Sequence, residues 1–165
     1  MRSARPSESG LYRLSTAVFA QREGKILLLK RAAGDSVGAW YLPGGAVDPG
    51  ETVEEGARRE LLEEAGLAPV GPLTCVGVAH MHVYGYDSLQ VFYACDCPDG
   101  EVTVSHEHSG ARWMEPSEYR ARYFSDEILA RVVEADAGTG WMLSNIRSAI
   151  DGYLAWLARG AGRQA

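Results

Sequence analysis

The sequence is short of cysteine, of long apolar runs and of positive charge, and each shortage removes a class of protein. Its three cysteines, Cys75, Cys95 and Cys97, make no disulfide framework and read as reduced, strand-borne thiols. A zinc site drawn from Cys95, Cys97, His80 and His82 lacks a second C-x-x-C pair, and C-x-C and H-x-H are also what two residues on one face of a strand look like. No apolar run approaches the roughly 18 residues of a membrane helix, and no signal-peptide pattern opens the chain. The expectation is therefore a cytoplasmic protein with no membrane partner. Lys and Arg number 16 against 22 Asp and Glu, a formal net charge of −6, so the basic stripes of a nucleic-acid surface are missing. The same negative charge disfavours long-range steering of an anionic substrate, which then needs a local cation.

What is present suffices for one hydrophobic core. At 165 residues and 46% hydrophobic content, a single domain over 13–159 is expected, between loose termini at 1–12 and 160–165. STAVFAQREGKILLLKR reads as two strands around a Glu23-Gly24 turn. LTCVGVAHMHVY and SLQVFYACDC are β-rich runs separated by Gly85-Tyr86-Asp87, a hairpin pattern. ARWMEP gives a short strand. Helical patterns follow from Pro116, from Asp126 to Ala135 after a Ser125 cap, and from Trp141 to Ala158. The last places Ile146, Ile150, Tyr153, Leu154 and Leu157 along one stripe, which suits packing on its own sheet or a homodimer interface.

The densest information lies in GAVDPGETVEEGARRELLEEAGL, from Gly45 to Leu67. Thr52 with Glu55 three residues on is a capping box, so a helix starts near Val53, and Gly66 supplies a left-handed stop. At about 100° per residue, Glu60, Glu63 and Glu64 project within about a 100° arc. Like charges so spaced repel by a few tenths of a kcal/mol per pair, and Arg59 stands beside them as a partial offset. An all-oxygen ligand set suits Mg²⁺ or Mn²⁺ rather than zinc or copper. The alternative for an arbitrary E-x-x-E-E is a solvated, Glu-rich helix face.

The whole block resembles the Nudix box, G-x5-E-x7-R-E-U-x-E-E-x-G-U with U an apolar aliphatic residue. Gly45, Glu51, Arg59, Glu60, Leu61, Glu63, Glu64, Gly66 and Leu67 fill every specified position. With fixed residues at a background of roughly 6–7% each, a chance match is on the order of one in a million. The resemblance, extended over the strands and helices from about Ser15 to Ala158, implies an α/β Nudix fold, an α/β/α sandwich with a mixed β-sheet between helices. It implies a MutT-like pyrophosphohydrolase that cleaves a diphosphate linkage in a nucleotide by attack of a metal-activated water, with Mg²⁺ as cofactor and Mn²⁺ as substitute. It also implies metal ligands at Glu60, Glu63, Glu64 and the Gly45 carbonyl. Arg59 would orient the neighbouring glutamates, and Glu51 would hold that arginine or reach the metal through water. Glu107, six residues before Trp113, has the placement of a further glutamate that binds metal or acts as base in relatives, with Glu101 and Glu115 as alternatives. The general base stays open between Glu64, Glu63 and Glu107. Phosphate contacts are expected from Arg31, with Arg112 and Lys30 as alternatives, and stacking on a base or sugar from Trp40, Tyr41, Tyr84 and Tyr86. His106 and His108, flanking Glu107, read as exposed loop residues.

Substrate markers are thin. Position fifteen after the box is His82, where ADP-ribose pyrophosphatases of this family carry proline; position seventeen is Tyr84, where dinucleoside polyphosphate hydrolases carry tyrosine. The NADH-type motif SQPWPFP and the coenzyme A signature are absent. The small-molecule partner is a nucleoside diphosphate linked to another moiety: a nucleoside triphosphate, a nucleotide sugar or a dinucleoside polyphosphate. The competing class is a catalytically inactive Nudix-like module that binds a nucleotide or a protein. Such modules generally lose box carboxylates, and here none is lost. An isopentenyl diphosphate isomerase shares the fold but needs a catalytic cysteine in its own context, which Cys75 does not have.

Overall fold

Residues 12–33, 37–83 and 86–160 are described by a computed structural model, and Tyr84 lies outside them. Strand β1 (Tyr12–Arg22) turns into β2 (Lys25–Arg31) through Glu23 and Gly24 at φ 49° and 77°. Two successive left-handed residues are what a two-residue hairpin loop requires, and glycine adopts that conformation without steric cost. The two strands pair only at Gln21–Ile26 and Arg22–Lys25 and then part. Beyond that point β2 joins β3 (Trp40–Tyr41) and β6 (His108–Met114), both antiparallel. β1 instead runs parallel to β5 (Tyr86–Asp96), which pairs antiparallel with β4 (Val70–Val83). The sheet is therefore mixed, in the order β3-β2-β1-β5-β4 with β6 on β2.

Both faces are apolar because the strands alternate without a polar side. Val18, Ala20, Leu27 and Leu29 face α1 (Val53–Ala65) and meet Ala57, Leu61 and Ala65; Ala17, Phe19, Ile26 and Leu28 face the other way. That second face is covered by α2 (Pro116–Phe124), α3 (Asp126–Ala135) and α4 (Ala137–Ala158) through Tyr119, Leu129, Ile146, Ile150 and Tyr153. The product is a helix/sheet/helix sandwich. The stripe on α4 lies on its own sheet, with Phe19 and Tyr153 rings stacked at 4.1 Å and the Tyr153 hydroxyl donating to Gln21 Oε1 at 2.8 Å.

Two sequence expectations shift. Helix α4 begins at Ala137 rather than Trp141, because the Thr139 amide donates to Asp136 Oδ2 in the manner of an N-cap. Tyr86 and Asp87 belong to β5 instead of a turn, with Val83 opposite Tyr86. His80 pairs Leu89, and Cys95 lies six residues farther along the same strand, roughly 20 Å away. The cysteine and histidine pairs therefore cannot share an ion.

Candidate active site

Where β1 leaves β2, residues 43–47 take its place. Thr16 N–H donates to Gly45 O at 2.8 Å, Val18 N–H to Pro43 O at 2.8 Å, and Val47 N–H to Leu14 O at 3.0 Å. The approach is too close for side chains at two positions. A Cβ on Gly44, whose φ is 152°, would lie 2.1 Å from Thr16 O, and one on Gly45 would lie 2.6 Å from Glu60 Oε1. Thus the glycines that open the box bring backbone against both β1 and the acidic helix.

Helix α1 starts as its sequence dictates. Thr52 Oγ1 accepts from Glu55 N–H at 3.2 Å while Glu55 Oε2 accepts from Thr52 N–H at 2.8 Å, and Gly66 ends the helix at φ 68°. Burial of Leu61 and Ala65 sets the rotation that turns Glu60, Glu63 and Glu64 toward the 105–107 turn. With Ser105, His106 and Glu107, these three glutamates line a cleft of about 280 Å³. Of the three late acids weighed from sequence, Glu107 lines this cleft, whereas Glu101 and Glu115 do not.

Arg59 ties the acids together. Its Nε and Nη2 donate to the two Glu51 oxygens at 2.8 and 3.0 Å, its Nη1 to Glu60 at 2.9 Å and Glu63 at 3.1 Å, and its Nη2 also to Ala46 O at 2.9 Å. Glu51 thus holds the arginine with both oxygens, and the guanidinium in turn keeps its carboxyl below the usual carboxylate range. Glu60 is pushed up, chiefly by burial, against the pull of Arg59.

Glu64 is the buried member of the set, at 6% exposure. Its Oε2 accepts from Gly44 N–H at 2.8 Å, and Oε1 faces His108 Nε2 at 3.7 Å. Burial pushes its pKa up to about 7, the Gly44 amide pulls against that, and the Glu60 and Glu107 charges add to the rise. His108 is buried rather than exposed as its loop-like sequence suggests; desolvation lowers its pKa, and the Arg31 charge acts the same way. Its burial is set across the chain, where β6 pairs with β2 and a register shift after Lys30 puts His108 opposite Arg31 and beside Glu64 of α1.

Glu64 also opens onto a larger cleft of about 740 Å³, shared with Arg31, Gly44 and His108 and walled by Tyr41, Leu42, Met81, Phe92 and Ile146. Arg31 stands 4.0 Å from Glu107. Trp40 is not among the lining residues; its ring lies 3.9 Å beneath the Arg112 guanidinium, which also donates to the Tyr123 hydroxyl. One of the four expected stacking surfaces and one alternative phosphate contact thus face each other.

The donors suit a hard divalent cation. All are oxygens, and burial first, with neighbouring carboxylates adding to it, raises the pKa values of Glu60 and Glu64. Among the described residues no three His, Cys, Asp or Glu side chains are already gathered as a ligand set; Glu60 and Glu63 lean on Arg59 instead. Gly45 O spends one lone pair on Thr16 N–H and keeps a second.

Comparison with known proteins finds relatives over most of the chain. The family profile described as NUDIX domain matches residues 11–134. The chain is 37% identical over 120 residues to the oxidized purine nucleoside triphosphate hydrolase of Danio rerio, covering 71% of this chain and 76% of that one. It is 47% identical over 51 residues to the human 8-oxo-dGDP phosphatase NUDT18, a stretch of 31% of this chain and 16% of that longer protein. The solution structure of the E. coli ORF135 protein superposes with a TM-score of 0.61 at 27% identity, over 98% of this chain and 99% of that one. No helix among the described residues is long and apolar enough to cross a membrane.

Proposed function

This chain belongs to the Nudix family of hydrolases acting on pyrophosphate bonds, and from that premise we propose that it cleaves a diphosphate linkage in a small nucleotide with Mg²⁺, or Mn²⁺ in its place. Nucleoside triphosphates are the first substrate class, in keeping with the name of the Danio rerio relative; nucleotide sugars and dinucleoside polyphosphates follow. The observation that carries the reading is the junction at Glu64. An acidic cleft of about 280 Å³ and a half-apolar cleft of about 740 Å³ meet at this one carboxylate, and the larger volume suits a nucleoside.

Glu60, Glu63, Glu64, Glu107 and the Gly45 carbonyl would hold the ion. When bound, it neutralises phosphoryl oxygens and lowers the pKa of a ligand water. Arg59 orients Glu51, Glu60 and Glu63, so that two acids stay aimed despite their mutual repulsion. Arg31, in the larger cleft with Glu64, meets the phosphates. Tyr41, Leu42, Met81 and Phe92 exclude water around the nucleoside. Glu64, with one oxygen fixed by Gly44 N–H, is placed to take the proton of the attacking water; Glu63 and Glu107 line the same cleft and are the other two candidates.

The test is product release from a panel of nucleoside triphosphates, nucleotide sugars, ADP-ribose and dinucleoside polyphosphates with Mg²⁺, Mn²⁺ or EDTA. Turnover of one class that EDTA abolishes is the expected result, and Glu64→Gln should lower kcat about 10²- to 10⁴-fold. Silence across the panel, with nucleotide still raising the Tm, would favour a binding module.

A further inference from the structure

Four groups between the Glu107 turn and α1 stand in one line of contacts. The Glu107 amide donates to Ser105 Oγ at 3.4 Å. A hydroxyl oxygen that accepts there has its own proton to give, and its neighbour is His108 Nδ1 at 3.2 Å. Hydroxyl and ring nitrogen can each donate to the other, and where Nδ1 is the acceptor a neutral imidazole carries its proton on Nε2. That nitrogen faces Glu64 Oε1 at 3.7 Å, while Glu64 Oε2 is already held by Gly44 N–H at 2.8 Å.

The backbone makes this arrangement stiff. Ser105 N–H donates to Glu64 O at 3.1 Å, Thr103 N–H to Ala65 O at 3.0 Å, and His108 N–H to Ser105 O at 3.1 Å. The 103–108 segment is thus stitched to the last turn of α1. The side chain is 3% exposed, so water competes weakly for its ring nitrogens.

We infer that His108 is a positioning residue for Glu64: Ser105 fixes its Nε2–H tautomer, and that proton and the Gly44 amide together set the plane of the Glu64 carboxylate. The inference rests on the proposed function for its kinetic consequence but not for its structural one. A ligand carboxylate held from behind keeps its orientation when metal and substrate arrive, and losing such support typically costs about 10- to 100-fold in metal affinity or activity.

The experiment has two arms. In EDTA, ¹⁵N NMR of the histidine rings reads the tautomer of His108 directly. An Nε2–H form in the wild type that gives way to a mixture in Ser105→Ala is expected; an Nδ1–H form would overturn the inference. This arm stands even if no nucleotide is ever hydrolysed, so its failure is distinct from failure of the proposed function. In the second arm, Mn²⁺ affinity and kcat against KM are measured for His108→Leu and His108→Gln, each checked for an unchanged unfolding midpoint in EDTA. His108→Leu should weaken Mn²⁺ binding and lower kcat about 10- to 100-fold with KM little changed. His108→Gln, whose amide can place an N–H near the same point, should recover most of that loss. Equal impairment in both variants, or none in His108→Leu, would reduce His108 to packing.

Discussion

Glu64 combines burial, an amide on one oxygen and an imidazole beside the other, and the cost of charging it there is a property of the folded state. Burial pushes its carboxyl up to about 7 in the folded state, from the 4.5 of a free glutamate. A raised acid contributes stability that is fully present below the unfolded value and is lost as pH rises through the folded one. The window is therefore about pH 4.5 to 7, with at most about 3 kcal/mol at stake. Glu60 shifts the same way through its own burial, and Glu51, held low by Arg59, shifts the opposite way. In EDTA, Glu64→Gln should match the wild-type unfolding free energy near pH 5 and exceed it near pH 8. Parallel pH profiles in urea titrations would show that the charge on Glu64 costs nothing.

Among the elements, α4 depends on two glycines. A Cβ on Gly152 would sit 2.8 Å from Val76 O, and one on Gly77 would sit 3.1 Å from Ala149 Cα. Replacing a helical glycine by alanine normally gains up to about 1 kcal/mol. Here Gly152→Ala should instead cost about 1–3 kcal/mol, because the helix must lift off β4. Urea unfolding decides the sign; a stabilised variant would mean that the helix already has slack. Elements whose ends are set by local chemistry were legible in the sequence: the Thr52–Glu55 box, the Gly66 stop, the Glu23–Gly24 turn and the Ser125 cap. So was the convergence of Glu60, Glu63 and Glu64, which helix geometry alone fixes. What escaped was decided across the chain. His108 is buried because β6 pairs with β2 and lies beside α1, and Trp40 is occupied because Arg112, 72 positions on, crosses over it. The early start of α4 turns on Asp136 capping through Thr139, a signal obscured by the neighbouring Gly138 and Gly140.

For the whole molecule, the acidic cleft lies between α1 and the 105–107 turn, the larger cleft is walled by core residues of the α2–α4 layer, and Glu64 belongs to both. A cation binding the folded state alone must then stabilise both layers together. At about 100 times its Kd it contributes roughly 2.7 kcal/mol, or about 5–10 °C in Tm for a chain of this size. Calorimetry with Mg²⁺ and with EDTA should show that shift in the wild type and much less in Glu64→Gln. An identical shift in both would place the ion elsewhere.

The parting of β1 from β2 makes the sheet a slotted plate, and the strip at 43–47 works as a latch across the slot. The latch is fastened by backbone amides of Thr16, Val18 and Val47, which belong to no reacting group. Their exchange with solvent is therefore a clock for the site: whenever the latch lifts, Gly44 releases Glu64, Gly45 withdraws from Glu60, and those amides, at the edge of the core, are exposed together.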